Sequence, residues 1–195
     1  MPVSFSTIKE TLLERLTHLD HHLIYHNIGH TLDVLEQCER IAWCERITNT
    51  EDLFLLKVAA LYHDAGFLKT YRGHEAVSCR IFLEDAEKFD LNDQQKEIIQ
   101  GLIMSTKVPQ QPVGILQEII CDADLDYLAR EDFYSISDNL RQEFIHFGIV
   151  ANDMQWEELQ LGFFGNHHYH TISSRNQREP AKQKHFAELL AHPAA

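Results

Sequence analysis

Apolar residues recur every three or four positions along most of the chain. Leu12, Leu16 and Leu19 follow this spacing near the N-terminus, and Leu32 and Leu35 repeat it. Such spacing places apolar side chains on one face of an α-helix. The alternation of apolar and polar residues that is typical of a half-buried strand is absent, so the sequence predicts an all-α fold.

Residues with preferences for helix ends mark several predicted boundaries. Thr7 and Glu10 resemble a capping box, and a second helix is expected to begin near Asn27. A third opens with acidic residues at 51 and 52, which suit a helix N-terminus, and is expected to end at Gly66. Further helices are predicted near residues 74–89, 92–106, 114–129, 131–147, 154–164 and 180–191, with loops at 66–73, 107–114 and 165–180.

The length and composition are those of one globular domain. The chain has 195 residues, of which 44% are hydrophobic and 24% are charged, which are ordinary values. No apolar run reaches the ~18–20 residues of a membrane span, and the first residues do not resemble a signal peptide. The cysteines fall in apolar-periodic segments without a CxxC pair, which predicts reduced thiols in the cytoplasm. They are Cys38, Cys44, Cys79 and Cys121.

The net charge narrows the possible partners. Seventeen basic and 30 acidic residues give a formal charge of −13. A nucleic-acid polymer is not expected as a partner, because phosphate contacts need a basic face. An anionic substrate would need local positive charge, and a bound divalent cation is the simplest source.

The segment "AALYHDAG", residues 59–66, ends an apolar helix with His63 and Asp64. A charged aspartate at the end of a buried helix is costly unless it is paired. The two side chains can converge on one ion at the helix end. Alternatively, Asp64 bonds the local backbone, and the segment alone does not decide between these interpretations.

The segment "EIICDADLDYLAR", residues 118–130, has aspartates at three alternate positions. Asp124 has Ile120 and Leu128 as its neighbours four residues away, so it lies on an apolar face and needs a compensating cation. This pattern selects Asp124 as a candidate ligand. The alternative is a short helix that breaks here and exposes all three aspartates. The residues expected to form a solvated charge stripe are Glu118, Asp122, Asp126 and Arg130.

His26 and His30 lie four positions apart and face the same way from one helix. Gly29 between them was expected to let another element approach. Alone, the pair is typical of a solvated polar face. Combined with the candidates above, two imidazoles and two carboxylates from three helices form a mixed nitrogen and oxygen site. Such a site suits Mn, Fe, Ni, Mg or Zn with open positions, and not a structural thiolate zinc site.

The order His30, His63-Asp64, Asp124 resembles the HD superfamily of metal-dependent phosphohydrolases, whose signature is H…HD…D on a helical bundle. The resemblance implies that these four residues bind the metal and that Asp64 is also catalytic. It implies a single domain over residues 1–195, with the metal-site core in about 20–130. Residues 131–195 would be a helical C-terminal extension, in which we identify no motif.

The stretch "YHNIGH", residues 25–30, is similar to the YHNxxH motif of class I cyclic-nucleotide phosphodiesterases. In that motif the second histidine binds metal and the first donates a proton to the leaving oxygen, which implies that His26 is the general acid. "CDADLD" resembles the stretch that supplies their last ligand. The chain length and the segments "HTLDVL", "HEAVS" and "DADLDYL" resemble more closely those of small bacterial HD phosphohydrolases, which have the same motif. Class I phosphodiesterase domains are longer, and neither a Gly-Tyr-Pro motif nor the alarmone-hydrolase context is present.

Other residues are secondary candidates. His74 and Glu75 open a helix and either contact a second metal or substrate, or are a helix-start histidine beside a solvated glutamate. The cations expected near a substrate phosphate are Lys69, Arg72 and Lys107. His167, His168 and His170 lack an accompanying carboxylate, so we expect a loop that covers the site and not a metal cluster.

The predicted function is hydrolysis of a small phosphoester, expected to be a nucleotide. The motif favours a cyclic-nucleotide diester over a nucleoside monophosphate. A di-iron oxygenase is an alternative that requires further ligands, and a non-catalytic HD-like binding module is a third. The metal's identity and the oligomeric state are left open.

Overall fold

The computed structural model describes residues 4–191. Over this range the chain forms ten α-helices and two short 3₁₀ turns, with no strand, which confirms the all-α prediction. The helices are α1 Phe5–Leu16, α2 Ile28–Cys44, α3 Thr50–Tyr62, α4 His74–Ala86, α5 Asp93–Ser105, α6 Ile115–Asp124, α7 Phe133–His146, α8 Asp153–Asn166, α9 Ile172–Gln177 and α10 Glu179–Ala191, and the 3₁₀ turns are Ala65–Leu68 and Asp126–Ala129.

Short polar side chains begin the first two helices. The Ser4 hydroxyl accepts the backbone N–H of Thr7 at 3.2 Å, so the predicted capping box at Thr7 is wrong by three positions. Asn27 accepts the N–H groups of Gly29 and His30, which confirms the predicted start of α2. A Cβ at Gly29 would lie 2.9 Å from Asn27 Oδ1. Gly29 therefore makes room for this cap and not for another element.

Gly66 determines how α4 packs on the end of α3. The helix ends at Tyr62, before Gly66, and the 3₁₀ turn follows. A Cβ at Gly66 would lie 2.0 Å from the carbonyl oxygen of His74. The Ser78 hydroxyl ties the two elements together, since it accepts the Gly66 N–H and donates to the His63 carbonyl. The close approach brings the first residue of α4 beside Asp64.

The predicted helix over 114–129 is interrupted at Asp124, and the predicted loop over 165–180 contains α9. The prediction that Asp122 lies on the surface is wrong, because its exposure is 0%. Its carboxylate accepts the N–H groups of His170 and Thr171 and the Thr171 hydroxyl, all within 2.8 Å. The later helices cover this part of the chain, and Asp122 fixes the loop that leads into them.

Asp126 is also fully buried, so the predicted solvated stripe does not exist. Its carboxylate accepts hydrogen bonds from Arg40 at 2.7 Å and from Arg178 at 2.8 and 2.9 Å. Arg130 bonds Asp33 and Asp132 instead of Asp126. The helical periodicity behind the prediction fails because the chain turns after Asp124. Arg40 of α2 and Arg178, between α9 and α10, compensate the buried charge,.

The apolar side chains form two clusters. One lies among α1 to α6, and the other joins α7, α8 and α10 to Tyr25 and residues 125–128. Phe133, Ile136 and Leu140 of α7 belong to this second cluster. In the described part of the chain no helix is long and apolar enough to cross a membrane. All four cysteines are free, and only Cys44 is partly exposed.

Candidate active site

Three helix ends bring four predicted ligands together. His30 lies in the first turn of α2, His63 and Asp64 follow α3, and Asp124 ends α6. His30 Nε2 lies 3.2 Å from Asp124 Oδ1 and 3.4 Å from His63 Nε2. His63 Nε2 lies 3.2 Å from Asp64 Oδ2. The ligand atoms of His30, His63 and Asp124 all fall within 4.8 Å of one another.

The donor atoms at this centre fit a divalent cation. His63 donates Nδ1–H to the Ala60 carbonyl at 2.8 Å, which leaves Nε2 facing the centre, where its lone pair would bind an ion once its proton is displaced,. Asp64 Oδ2 is buried and makes no hydrogen bond of good geometry, although His63 Nε2 lies 3.2 Å away. A buried carboxylate oxygen without a donor is costly unless a cation lies beside it. Two imidazole nitrogens and two carboxylates form the mixed ligand set expected from the sequence.

Charges at the centre also favour a cation. Burial alone would lower the pKa of His30, but the Asp124 and Asp64 carboxylates outweigh it and raise this pKa to about 9. Burial opposes ionisation of Asp124, yet the hydrogen bonds from His30 and His63 lower its pKa to about 2. The same histidines hold the pKa of Asp64 well below its usual value against burial. Without an ion, protons on the imidazoles supply the positive charge that the carboxylates require.

His74 approaches Asp64 from its other side. Its Nε2 lies 3.2 Å from Asp64 Oδ1, and its Nδ1 donates to the Tyr71 carbonyl. The two carboxylate oxygens of Asp64 therefore face different histidines. Glu75 is 8% exposed and lies 4.0 Å from His74 Nε2, so the interpretation of Glu75 as solvated is wrong. A role for His74 and Glu75 with a second metal or substrate stays a prediction.

His26 is held by a buried carboxylate from the C-terminal helices. Its Nδ1 hydrogen-bonds Glu143, whose side chain is fully buried. Glu143 also accepts the Tyr25 and His26 backbone N–H groups and the Tyr71 hydroxyl. Burial raises the pKa of Glu143, but the bonds from His26, Tyr25 and Tyr71 outweigh it and lower this pKa. The Nδ1 bond leaves His26 Nε2 on the opposite side of the ring.

Sequence reasoning missed Glu143 and the aromatic residues beside it. Glu143 follows Ile136 and Leu140 by seven and three positions, so it lies on the apolar face of α7. The argument that selected Asp124 applies only in part, because the neighbours of Glu143 four residues away are Asn139 and Phe147. Phe67 stacks on both His26 and His74, with ring centroids 4.2 and 4.1 Å apart. No local signal in the sequence identifies this stacking.

A family comparison agrees with the ligand geometry. The family model described as HD domain matches residues 27–128, just over half of the chain and all four candidate ligands. The chain belongs to the HD domain family. No curated protein and no solved structure gives a significant match. HD domains bind divalent metals and are in general hydrolases, so the family indicates metal-dependent hydrolysis without indicating the substrate.

A cavity of about 600 Å³ opens beside the candidate metal ligands of the HD domain. Asp64, Asp124 and His26 line it, and residues of α7 and α8 contribute an apolar wall. Of the three predicted phosphate-binding cations, Lys107 lines this cavity, whereas Lys69 and Arg72 are exposed outside its lining. The wall residues from α7 and α8 are Leu140, Phe144, Trp156, Leu159, Gln160, Phe163 and Phe164.

The three histidines after α8 do not form a metal cluster. Within residues 4–191 their ring nitrogens are not part of any convergent group of metal-binding side chains. His167, His168 and His170 line a smaller cavity next to the HD-domain cavity, together with residues of the loop after α5. We expected a loop that covers the site. In the structure these histidines lie beside the cavity and do not line it next to the candidate ligands.

Proposed function

We propose that this HD domain is a metal-dependent phosphohydrolase that cleaves a small phosphodiester, and that a cyclic nucleotide is favoured over a nucleoside monophosphate. The observation that carries the proposal is the position of His26. Its Nδ1 is fixed by Glu143, and its ring centroid lies 5.8 Å from that of the candidate ligand His30. A histidine held in this way beside a metal centre can donate a proton to the leaving oxygen.

Each residue has a distinct role in the proposed reaction. His30, His63, Asp64 and Asp124 would hold the ion. When bound, that ion supplies positive charge to a phosphoryl oxygen and lowers the pKa of a water molecule. The water molecule would lose one proton to solvent as its oxygen bonds phosphorus, the phosphorus–oxygen bond to the leaving group would break, and His26 Nε2 would give its proton to the leaving alkoxide. Glu143 stays ionised and stabilises the imidazolium form of His26.

The cavity supports a substrate with one phosphate and a bulky uncharged group. Aromatic and aliphatic side chains form most of its wall, and among residues 4–191 Lys107 is the one lysine or arginine in its lining. A nucleoside triphosphate would need several cations. A nucleotide with a single phosphate fits this combination, with Lys107 proposed to bind a phosphate oxygen.

A second candidate function is the di-iron oxygenase. The observation in its favour is His74, which faces the oxygen of Asp64 that is turned away from His30 and His63. Asp64 placed between two groups of nitrogen donors can bridge two ions. Two irons per chain together with substrate-dependent oxygen uptake would support this function over hydrolysis. A binding module that has lost its ligands is disfavoured, because all four ligand side chains converge.

The test compares a bis-aryl phosphodiester with an aryl phosphomonoester, each with Mn²⁺. Wild type and Asp64→Ala are assayed, and Asp132→Ala, which changes an exposed aspartate, is the matched control. We expect diester turnover that disappears with Asp64→Ala and persists in the control. Turnover of the monoester alone would indicate a nucleotidase. Diester turnover that persists in Asp64→Ala would contradict the proposed metal centre.

A further inference from the structure

The turn between α1 and α2 carries a second group of metal-binding side chains. Within residues 4–191, one convergent group lies at the candidate centre, and the other comprises Asp20, His21 and His22. One ligand atom from each of these three side chains falls within 4.8 Å of the other two. None of the three has a role in the proposed reaction. The turn therefore offers one carboxylate and two imidazoles that the proposed function leaves unused.

The distances between these atoms suit ligands of one ion. Asp20 Oδ1 lies 2.9 Å from His22 Nδ1 and 3.6 Å from His21 Nδ1. Two atoms that are each about 2.1 Å from a metal ion lie about 3.0–3.6 Å apart when the angle at the ion is about 90–120°. An ion at the turn would replace the proton that His22 Nδ1 shares with Asp20 Oδ1.

The backbone of the turn holds the ligands in place. The Leu23 N–H donates to the Asp20 carbonyl at 2.9 Å, and the His22 N–H donates to Asp20 Oδ1 at 2.9 Å. The second bond closes an Asx turn. Leu23 is 4% exposed, so it anchors the turn to the rest of the protein. Because the backbone is already ordered, binding an ion would cost only the ordering of side chains.

The ring of His22 is also held by α7. It stacks on His146 with ring centroids 3.8 Å apart and ring planes 10° apart. His146 lies three positions after Glu143, which accepts the backbone N–H groups of Tyr25 and His26. The segment that leads to His26 therefore contacts α7 at two points, and the candidate ligand His22 makes one of them.

The ligand types and the exposure of the turn indicate the class of ion. Two imidazoles with one carboxylate suit Zn²⁺, Ni²⁺ or Cu²⁺, whereas Mg²⁺ and Ca²⁺ prefer oxygen ligands. The side chains of Asp20, His21 and His22 are 50%, 86% and 43% exposed, so water can complete the coordination. The formal charge of −13 also favours a cation,.

We propose that Asp20, His21 and His22 bind one late transition-metal ion, Zn²⁺, Ni²⁺ or Cu²⁺, at a site separate from the candidate active centre. The two sites share no ligand, so this inference goes beyond the proposed function and does not rest on it. By holding His22, the ion would also fix the segment that leads to His26 against α7.

The test counts Cu²⁺ ions per chain by isothermal titration and EPR in wild type and in two variants of the turn. His21→Gln and Asp20→Asn should each bind one ion fewer than wild type. His18→Gln is the matched control, because His18 is an exposed histidine of the same segment whose Nδ1 bonds Thr17. It should bind as many ions as wild type. Asp64→Ala should lose the ion of the candidate centre and keep the ion of the turn.

NMR places the ion independently of the count. Paramagnetic Cu²⁺ at the turn should broaden the ring signals of His146 in wild type, and this broadening should disappear in His21→Gln. Circular dichroism shows whether each variant folds, and either turn variant carries the test alone. Equal ion counts in wild type and both turn variants would overturn the proposal, as would an equal loss in His18→Gln or sharp His146 signals. An unchanged ion count in Asp64→Ala would contradict the candidate centre and leave the result for the turn standing.

Discussion

The core that matches the family and the C-terminal helices contribute different parts of the site. Residues 27–128 supply all four candidate ligands. Helices α7 and α8 supply Glu143 and the apolar wall of the cavity. In the proposed reaction the core therefore carries the metal-dependent chemistry, whereas the later helices would orient the acid and shape the space for substrate. This division predicts that the chemistry is shared across the family and that α7 and α8 add to the specificity that core residues such as Lys107 provide.

The largest expected effect is on metal binding and turnover, and it distinguishes two aspartates of α6. Asp124→Asn should lose metal and lower turnover about a thousandfold or more, since metal catalysis contributes several kcal/mol. Asp122→Asn is the matched control, because Asp122 bonds His170 and Thr171 and not the centre. It should lower thermal stability and keep the metal. If Asp122→Asn loses the metal while its fold is unchanged, the assignment of Asp124 as the only ligand among these two aspartates is contradicted.

The next largest expected effect is a loss of stability when the packing of α4 on the 3₁₀ turn Ala65–Leu68 is disturbed. Gly66→Ala should destabilise the protein by about 1–3 kcal/mol, because the new Cβ meets the backbone of His74,. Gly162 lies in α8, and a Cβ there would meet nothing within 4 Å. Gly162→Ala should therefore leave the free energy of unfolding unchanged or raise it. Denaturant unfolding compares the two, and equal stability would contradict the close approach.

The pKa of His30 predicts how metal affinity depends on pH. This pKa is raised from 6.5 to about 9, so below that pH the ion must displace a proton. Metal affinity should rise with pH by roughly tenfold per unit between about pH 7 and pH 9 for each proton released. Isothermal titration with Mn²⁺ in buffers of different ionisation heat counts these protons. An affinity independent of pH would contradict the charge arrangement.

The smallest expected effect is on substrate affinity, when a residue of α8 that lines the cavity is shortened. Leu159 lines the cavity and is 42% exposed, so its removal should not unfold the protein. Leu159→Ala should raise KM for the bis-aryl diester about three- to tenfold, with kcat and metal content kept. Leu190→Ala removes an exposed leucine outside the cavity lining and is the control. A fall in kcat without a change in KM would show that α8 does more than contact substrate.

The sequence predicts the ligands because their signals are local. His63 and Asp64 end an apolar helix, and Asp124 interrupts an apolar face. Burial of Asp122 and Asp126 is not predictable in this way, because their partners Thr171 and Arg178 lie 49 and 52 positions further along the chain. Only the packing of the later helices brings these partners in. The same holds for Phe67 and for the two cavities.

The burial of Glu143 can be predicted from the sequence, but its partner cannot. Its place on the apolar face of α7 is a local signal that a buried, paired carboxylate produces. Its partner His26 is 117 positions away, and no spacing in the sequence indicates that pairing. The prediction of the domain as residues 1–195, with a core and an extension, stays a prediction, although the extension contributes to the site.

The most direct test of this division between the core and the C-terminal helices measures how the hydrolysis rate of Glu143→Gln depends on the leaving group. Diesters with leaving groups from nitrophenoxide to a simple alkoxide are hydrolysed by wild type, by this variant and by Glu131→Gln, an exposed control. The account predicts unchanged metal content and a rate loss of about a hundredfold for the alkoxide, with little loss for nitrophenoxide, because only the poor leaving group needs the proton. An equal loss for every leaving group, or loss of the metal, would contradict the role of Glu143 as the residue that positions the acid.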